Sequence, residues 1–410
     1  MSDIDGGRGR VARRTAFLAG LTSLIAVSAA LAQTSTMNDP RVGLKAGLHD
    51  AAEAAKNMAL VSHTNKADSL NLTLAGLTYA NSDLAFKGNY VYQGNFSGFE
   101  IWNIGNPSHP TLTDAYTCAT GQGDPSVYGN LLFISAEGTG NRLDCGMQGV
   151  KDTVSKERFR GVRIFNISDP AHPKQIADVQ TCRGSHTHTL VQDPHDPKNI
   201  YVYVSGSAGV RPDAELSGCL DENPANNPNG EQFKIEVIQV PLAHPEQAHV
   251  ISKPGILTDL SVAPRNTSRN AMDSVERAAA MAARGAAGGR GGRGGRGRGG
   301  PGGRGARPPS GPVQCHDITT YPSVGFAGGA CGGYGLLLDI HDPKNPTRIT
   351  YASDSNFAFW HSATFNNDGT KVLFTDEWGG GTSPKCRSSD PLDWGGDAIF
   401  TIKDRKTLVP

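Results

Sequence analysis

Along most of this chain hydrophobic and polar positions alternate over short runs, a period of two that predicts β-strands and not helices. The runs also recur in a fixed order. An apolar strand is followed by a Pro-containing turn in GFEIWNIGNPSHP from Gly98, GVRIFNISDPAHP from Gly161 and YGLLLDIHDPKNP from Tyr334. FKIEVIQVPLAHP from Phe233 and DAIFTIKDRKTLV from Asp397 are looser copies. Pro fixes φ and cannot donate into a ladder, so it separates two strands. Two further strand-like runs precede each copy, among them YVYQGN, LLFISAE and IYVYVSG. Four short strands per unit, at a period above ~40 residues, predict the blades of a β-propeller. The fold class is therefore all-β, with five repeat units between residues 81 and 410.

Three stretches stand outside the repeat. Residues 1–32 join a basic segment (Arg8, Arg10, Arg13, Arg14) to an apolar run ending Ala30-Leu31-Ala32, the layout of a secretory signal peptide. The apolar run is shorter than the ~20 residues of a membrane span, so no span is expected after cleavage. Within residues 33–80, Leu44–Val61 has apolar residues at helical spacing and predicts a short amphipathic helix, and Ser69–Leu77 predicts a ring-closing strand. Residues 262–313 do not belong to the repeat; their core, GAAGGRGGRGGRGRGGPGGRGARPPSG, has almost no apolar side chains, and they are expected to be a disordered insert.

The turn Asn166-Ile167-Ser168-Asp169-Pro170-Ala171-His172-Pro173 and its counterparts resemble those of the LVIVD-repeat family of exported bacterial proteins. The resemblance runs from about Asp83 to the C-terminus and implies a β-propeller. It also implies that the five units belong to a ring of about seven blades, with a C-terminal portion lacking here. It implies little about activity.

Composition refines this outline. A chain of 410 residues with 51 Gly and 25 Pro suits many short strands joined by turns. Its formal charge of zero conceals an insert with ten Arg against one Asp and one Glu, set in an acidic body. The insert lacks aromatic residues for stacking bases, so no nucleic-acid partner is expected.

Seven cysteines follow the blade period. Cys118, Cys182 and Cys315 each precede the first strand of a blade. Cys145, Cys219 and Cys331 each lie between the second and third strands of the same blade. In a propeller those two connections emerge on one face, so Cys118–Cys145, Cys182–Cys219 and Cys315–Cys331 are the expected disulfides. Cys386 is left over. An exported chain favours disulfides over a cysteine metal site, and no C-x-x-C pair occurs.

Aligning the first strands by their alternation places Asp83, Asp124, His188, His316 and His361 at one equivalent position, facing the central channel. The ends of the second strands add Glu137, Asp376 and Glu377, while His186 and Asp317 flank the ring. Mixed imidazole and carboxylate donors suit zinc, copper or iron more than calcium, which prefers oxygen ligands alone. The same residues equally serve as structural hydrogen-bonding groups in a polar channel, and both readings stand at this point. No G-x-S-x-G elbow and no phosphate-binding glycine loop occurs. The expected protein is an exported, periplasmic or cell-surface propeller that binds an extracytoplasmic ligand or protein. The alternative is a metal-dependent hydrolase or oxidase on the same ring, with Glu137 or Glu377 as general base.

Overall fold

The computed structural model describes residues 40–268 and 314–410 except 41, 46, 48, 49, 72–79, 233 and 379–393. Between 269 and 313 it describes only residues 274, 275 and 278. The expected signal peptide, most of the Arg/Gly-rich insert and Cys386 lie outside the described residues.

Among the described residues, twenty strands form five four-stranded antiparallel sheets, each built from consecutive strands. Blade one holds β1 (Asn81–Lys87), β2 (Tyr90–Asn95), β3 (Gly98–Asn103) and β4 (Thr111–Thr117). Blade two holds β5 (Pro125–Tyr128), β6 (Leu131–Ala136), β7 (Gly161–Asn166) and β8 (Lys174–Gln180). Blade three holds β9 (Thr187–Gln192), β10 (Asn199–Ser205), β11 (Glu236–Pro241) and β12 (His249–Ser252). Blade four holds β13 (Ile318–Tyr321), β14 (Phe326–Cys331), β15 (Tyr334–Asp339) and β16 (Thr347–Ala352). Blade five holds β17 (Trp360–Phe365), β18 (Lys371–Asp376), β19 (Asp397–Lys403) and β20 (Thr407–Val409). The first strands β1, β5, β9, β13 and β17 lie side by side in that order.

Both faces of the middle strands are largely buried in blades one to four, where they read as near-continuous apolar runs, whereas β19 in blade five alternates between buried and exposed residues. In β6, Leu131 and Phe133 join Val162, Ile164, Ile200 and Val202 in the core shared with blade three. The alternate residues Leu132 and Ile134 join Tyr92, Phe99 and Ile101 in the core shared with blade one. One strand thus supplies two cores through its period of two.

The repeated motif has a local cause at both ends. Gly98 and Gly161 open the third strands at φ 154° and 150°. A Cβ there would stand 1.9 Å and 2.0 Å from the carbonyl oxygens of Tyr116 and Val179, so only glycine fits. At the other end the side chains of Asn103, Asn166 and Asp339 each accept the N–H two residues on, at 2.9 Å. Those Asx turns direct the chain into the fourth strand. The register of each third–fourth pairing slips once in blades one to four, a bulge repeated from blade to blade.

The disulfides form as the blade period predicts: Cys118–Cys145, Cys182–Cys219 and Cys315–Cys331, with Cα separations of 4.7, 5.3 and 3.8 Å. Replacing both cysteines of Cys118–Cys145 by serine should cost about 2–4 kcal/mol of stability in a denaturant titration. The bond closing 37 residues should exceed the one closing 16 by ~0.7 kcal/mol if chain entropy governs. Equal losses would show that it does not.

Two expectations are corrected. No helix forms among the described residues of Leu44–Val61. Asn57 takes a left-handed φ of 61°, and Met58, Leu60 and Val61 are exposed. Without tertiary packing a helix of this length is marginal in water. Of the expected strand Ser69–Leu77, Ser69 and Leu70 instead belong to a 3-10 turn, Asp68–Leu70, and residues 72–77 lie outside the described set. The chain also divides into units between His63 and Thr64, ahead of the first blade.

Candidate functional site

On the face carrying the disulfides, three imidazoles approach one another from three blades. His186 lies just before β9, where its N–H donates to Ser205 O at 3.0 Å. His316 follows Cys315 and is placed by its N–H to Ala330 O, 2.8 Å. His361 is the second residue of β17. Thr187 Oγ1 donates to His316 O at 2.8 Å and ties blade three to blade four at this point.

His186 Nε2 and His316 Nε2 stand 2.8 Å apart, and the His316 and His361 rings lie 4.0 Å apart, centroid to centroid. Glu377, one residue past β18, brings Oε2 to 3.7 Å from His361 Nε2. One ligand atom from each of His316, His361 and Glu377 falls within a 4.8 Å set. His186 is joined to that set through His316. Behind the rings stand two more carboxylates. Glu137 accepts from His186 Nδ1 at 2.7 Å and from Ser207 Oγ at 2.8 Å, and Asp317 lies 3.5 Å from His316 Nδ1.

The electrostatics follow from this layout. Burial alone would lower the His186 imidazolium, but the hydrogen bond to Glu137, its charge and those of Asp317 and Glu377 raise it. Burial pushes Glu137 up, yet His186 and Ser207 hold it below the usual carboxylate range. Burial likewise opposes ionised Asp317, and His316 with Thr187 outweighs it, so Asp317 is lowered. His361 is lowered by burial and by the charge of His316.

Glu137 takes the Nδ1 proton of His186 in hydrogen bond, so the neutral ring presents its Nε2 lone pair to His316. Two imidazole nitrogens at 2.8 Å need an electrophile between them. Either one ring donates a proton or both bind a cation.

The five aligned positions divide into three groups. His316 and His361 meet. His188 does not join them, being only 4% exposed with its Nδ1 2.8 Å from Ser135 Oγ, which also contacts Ser185 Oγ at 2.8 Å. Burial pushes the His188 imidazole down to about 3, so it is neutral. Asp124 and Asp83 pair with each other by a side-chain hydrogen bond. Burial first, then Asp83, carries Asp124 well above the usual carboxylate range, against the His188 N–H.

Asp124 is therefore protonated at neutral pH while the unfolded chain would ionise it. The stability from that proton is complete below the ordinary Asp pKa of ~3.9 and is lost as pH rises toward the folded value. Asp124→Asn, which keeps donor and acceptor, should flatten the fall in melting temperature between pH 5 and 8. An unchanged slope in the variant would show that Asp124 is ionised in the folded protein.

Sequence reasoning placed His186 only at the flank, although it supplies the closest contact of the cluster. A second group, Cys182, Glu231 and Glu236, also gathers donor types. Cys182 is in a disulfide, and Lys253 Nζ lies 2.7 Å from Glu231 and 3.7 Å from Glu236, so the cation there is a lysine. Of the tryptophans, Trp360 is core, packed on Phe357 and Phe374, while Trp378 and Trp394 meet edge to face at 5.4 Å.

Sheets of four consecutive antiparallel strands, set side by side through their first strands, define a β-propeller. Residues 80–118, the first blade, match the family model of the LVIVD repeat. The first blade is thus an LVIVD repeat, and the fold of the chain is a β-propeller. No curated protein matches it.

Among solved structures the chain is similar to Kuenenia stuttgartiensis hydrazine synthase, with 9% identity, a TM-score of 0.41, and 79% of this chain and 64% of that one covered. It is similar to the periplasmic gluconolactonase of Pseudomonas aeruginosa, with 12% identity, a TM-score of 0.41 and coverage of 77% and 63%. It is also similar to the Cps50 (Swd1) β-propeller domain of Myceliophteria thermophila, with 10% identity, a TM-score of 0.35 and coverage of 72% and 62%. The chain thus spans just under two thirds of the length of these three, and nothing of their chemistry is carried over.

Three disulfides suit an oxidising, extracytoplasmic compartment. Among the described residues no helix is long and apolar enough to cross a membrane.

Proposed function

We propose that this protein is an exported ligand-binding propeller of the periplasm or cell surface that works through its disulfide-braced face. At that face His186, His316, His361 and Glu377 hold one divalent late first-row metal, zinc, copper or iron, which in turn engages an extracytoplasmic ligand. The observation that carries this reading is the convergence of three imidazoles from three blades, two of them 2.8 Å apart through Nε2. Glu137 behind His186 supports it, because metal-bound imidazoles commonly donate their other N–H to a carboxylate. Three nitrogen donors disfavour calcium.

The site's chemistry also bears on the enzyme alternative. Both oxygens of Glu137 are engaged, by His186 and by Ser207, and Glu377 is a metal ligand in this reading, so neither carboxylate is left free to act as the base for hydrolysis or oxidation. Purification without chelator followed by metal analysis tests the proposal. One transition metal per chain, not displaced by excess calcium, is the expected result. Metal-free protein that also fails to take up zinc, copper or iron would overturn it.

A further inference from the structure

Among the described residues, the cluster is most exposed at His361 and Glu377. The side chains of His186 and His316 are 15% and 11% exposed, whereas those of His361 and Glu377 are 32% and 29% exposed. The most exposed approach among the described residues therefore runs past His361 and Glu377. Phe359 stands on that same rim. Its ring meets His316 edge-on, with centroids 5.5 Å apart at 88°, and Phe359 is 36% exposed.

The backbone of Phe359 is held by hydrogen bonds through both its N–H and its carbonyl. Asp376 accepts the N–H groups of Ala358 and Phe359 at 3.0 and 2.7 Å, and the Phe359 carbonyl accepts from Glu377 N–H at 2.9 Å. The next residue, Trp360, is anchored in the core between blades four and five. The ring packs on His316 and still leaves 36% of the residue exposed, on a backbone fixed on both sides. It is preorganised for contact with something outside the chain.

We propose that the more exposed side of the cluster takes a small aromatic anion, its carboxylate or phenolate oxygen on the metal and its ring against Phe359. This rests on the metal-site reading above. A dication among neutral imidazoles favours an anionic oxygen donor, and zinc accepts a further ligand beyond four. The ring of the ligand and that of Phe359 add an aromatic pair, which sets the preference for an aromatic over an aliphatic acid.

The test uses the full chain loaded with cobalt(II), whose visible spectrum responds to a change of ligand, titrated with benzoate and with acetate. Benzoate should bind about three- to tenfold more tightly than acetate, the range expected of one aromatic pair. Phe359→Ala should bring the two affinities together while keeping one cobalt per chain, and Phe359→Leu, which retains bulk without a ring, should do nearly the same. A loaded centre whose spectrum ignores both anions, or a benzoate preference that survives both variants, overturns the inference and leaves the metal site standing. Failure of the wild-type chain to bind cobalt sinks both.

Discussion

Replacing His316 by alanine is expected to lower metal affinity by at least about a hundredfold, measured by competition against a chromophoric chelator. His316 is the hub of the cluster: its ring contacts His186 on one side and His361 on the other. Removing it leaves two imidazoles with no shared neighbour. Glu137→Gln should cost about 10–100-fold, the usual range for a group that orients a ligating histidine. His188→Ala should leave metal binding unchanged while lowering stability, because His188 is buried against Ser135 and away from the cluster. That contrast separates a metal site from a general polar lining. Equal losses of metal in the His188 and His316 variants would contradict the placement of the site.

The second large effect lies in the loops that frame this face. Glu215 is buried and accepts from Arg211 Nε at 2.7 Å and from Arg158, while Arg211 is fully buried. Arg158 Nη1 and Nη2 also donate to the carbonyls of Thr153 and Asp152, and Arg211 Nη2 donates to Arg158 O at 3.0 Å. The carboxylate thus joins the long β6–β7 connection to the β10–β11 connection. Glu215→Ala leaves two buried guanidinium groups without their counter-charge and should destabilise by about 3–5 kcal/mol. Replacing a whole buried ionic group by apolar residues is often harmless, but removing one member is not. A melting shift equivalent to less than about 1 kcal/mol would mean that water compensates both arginines.

The blades and their disulfides were legible in the sequence because each depends on local pattern and period. The Pro turns, the glycines opening β3 and β7 and the six paired cysteines recur at fixed points of the repeat. The choice between His186 and His188 was not legible. Two residues apart, they share the same strand parity, and nothing local says which ring turns toward blade four. That is decided by Glu137, 49 residues earlier in blade two, which captures His186, and by Ser135, which captures His188. The Asp83–Asp124 pair was placed on the ring by alignment, but its shared proton arises from burial, which alternation alone does not reveal. Glu215 carried no readable signal, since Arg211 four residues earlier in the same loop is an ordinary spacing and Arg158 lies in a different loop. The Leu44–Val61 pattern misled because helical spacing specifies a helix only where something covers its apolar face.

X-ray absorption at the metal edge of the purified, full-length protein tests the central claim most directly. The account predicts one zinc, copper or iron per chain with imidazole scattering from about three rings and a carboxylate oxygen, reduced or lost in His316→Ala. A centre with oxygen neighbours alone, or the same spectrum in the variant, would contradict it.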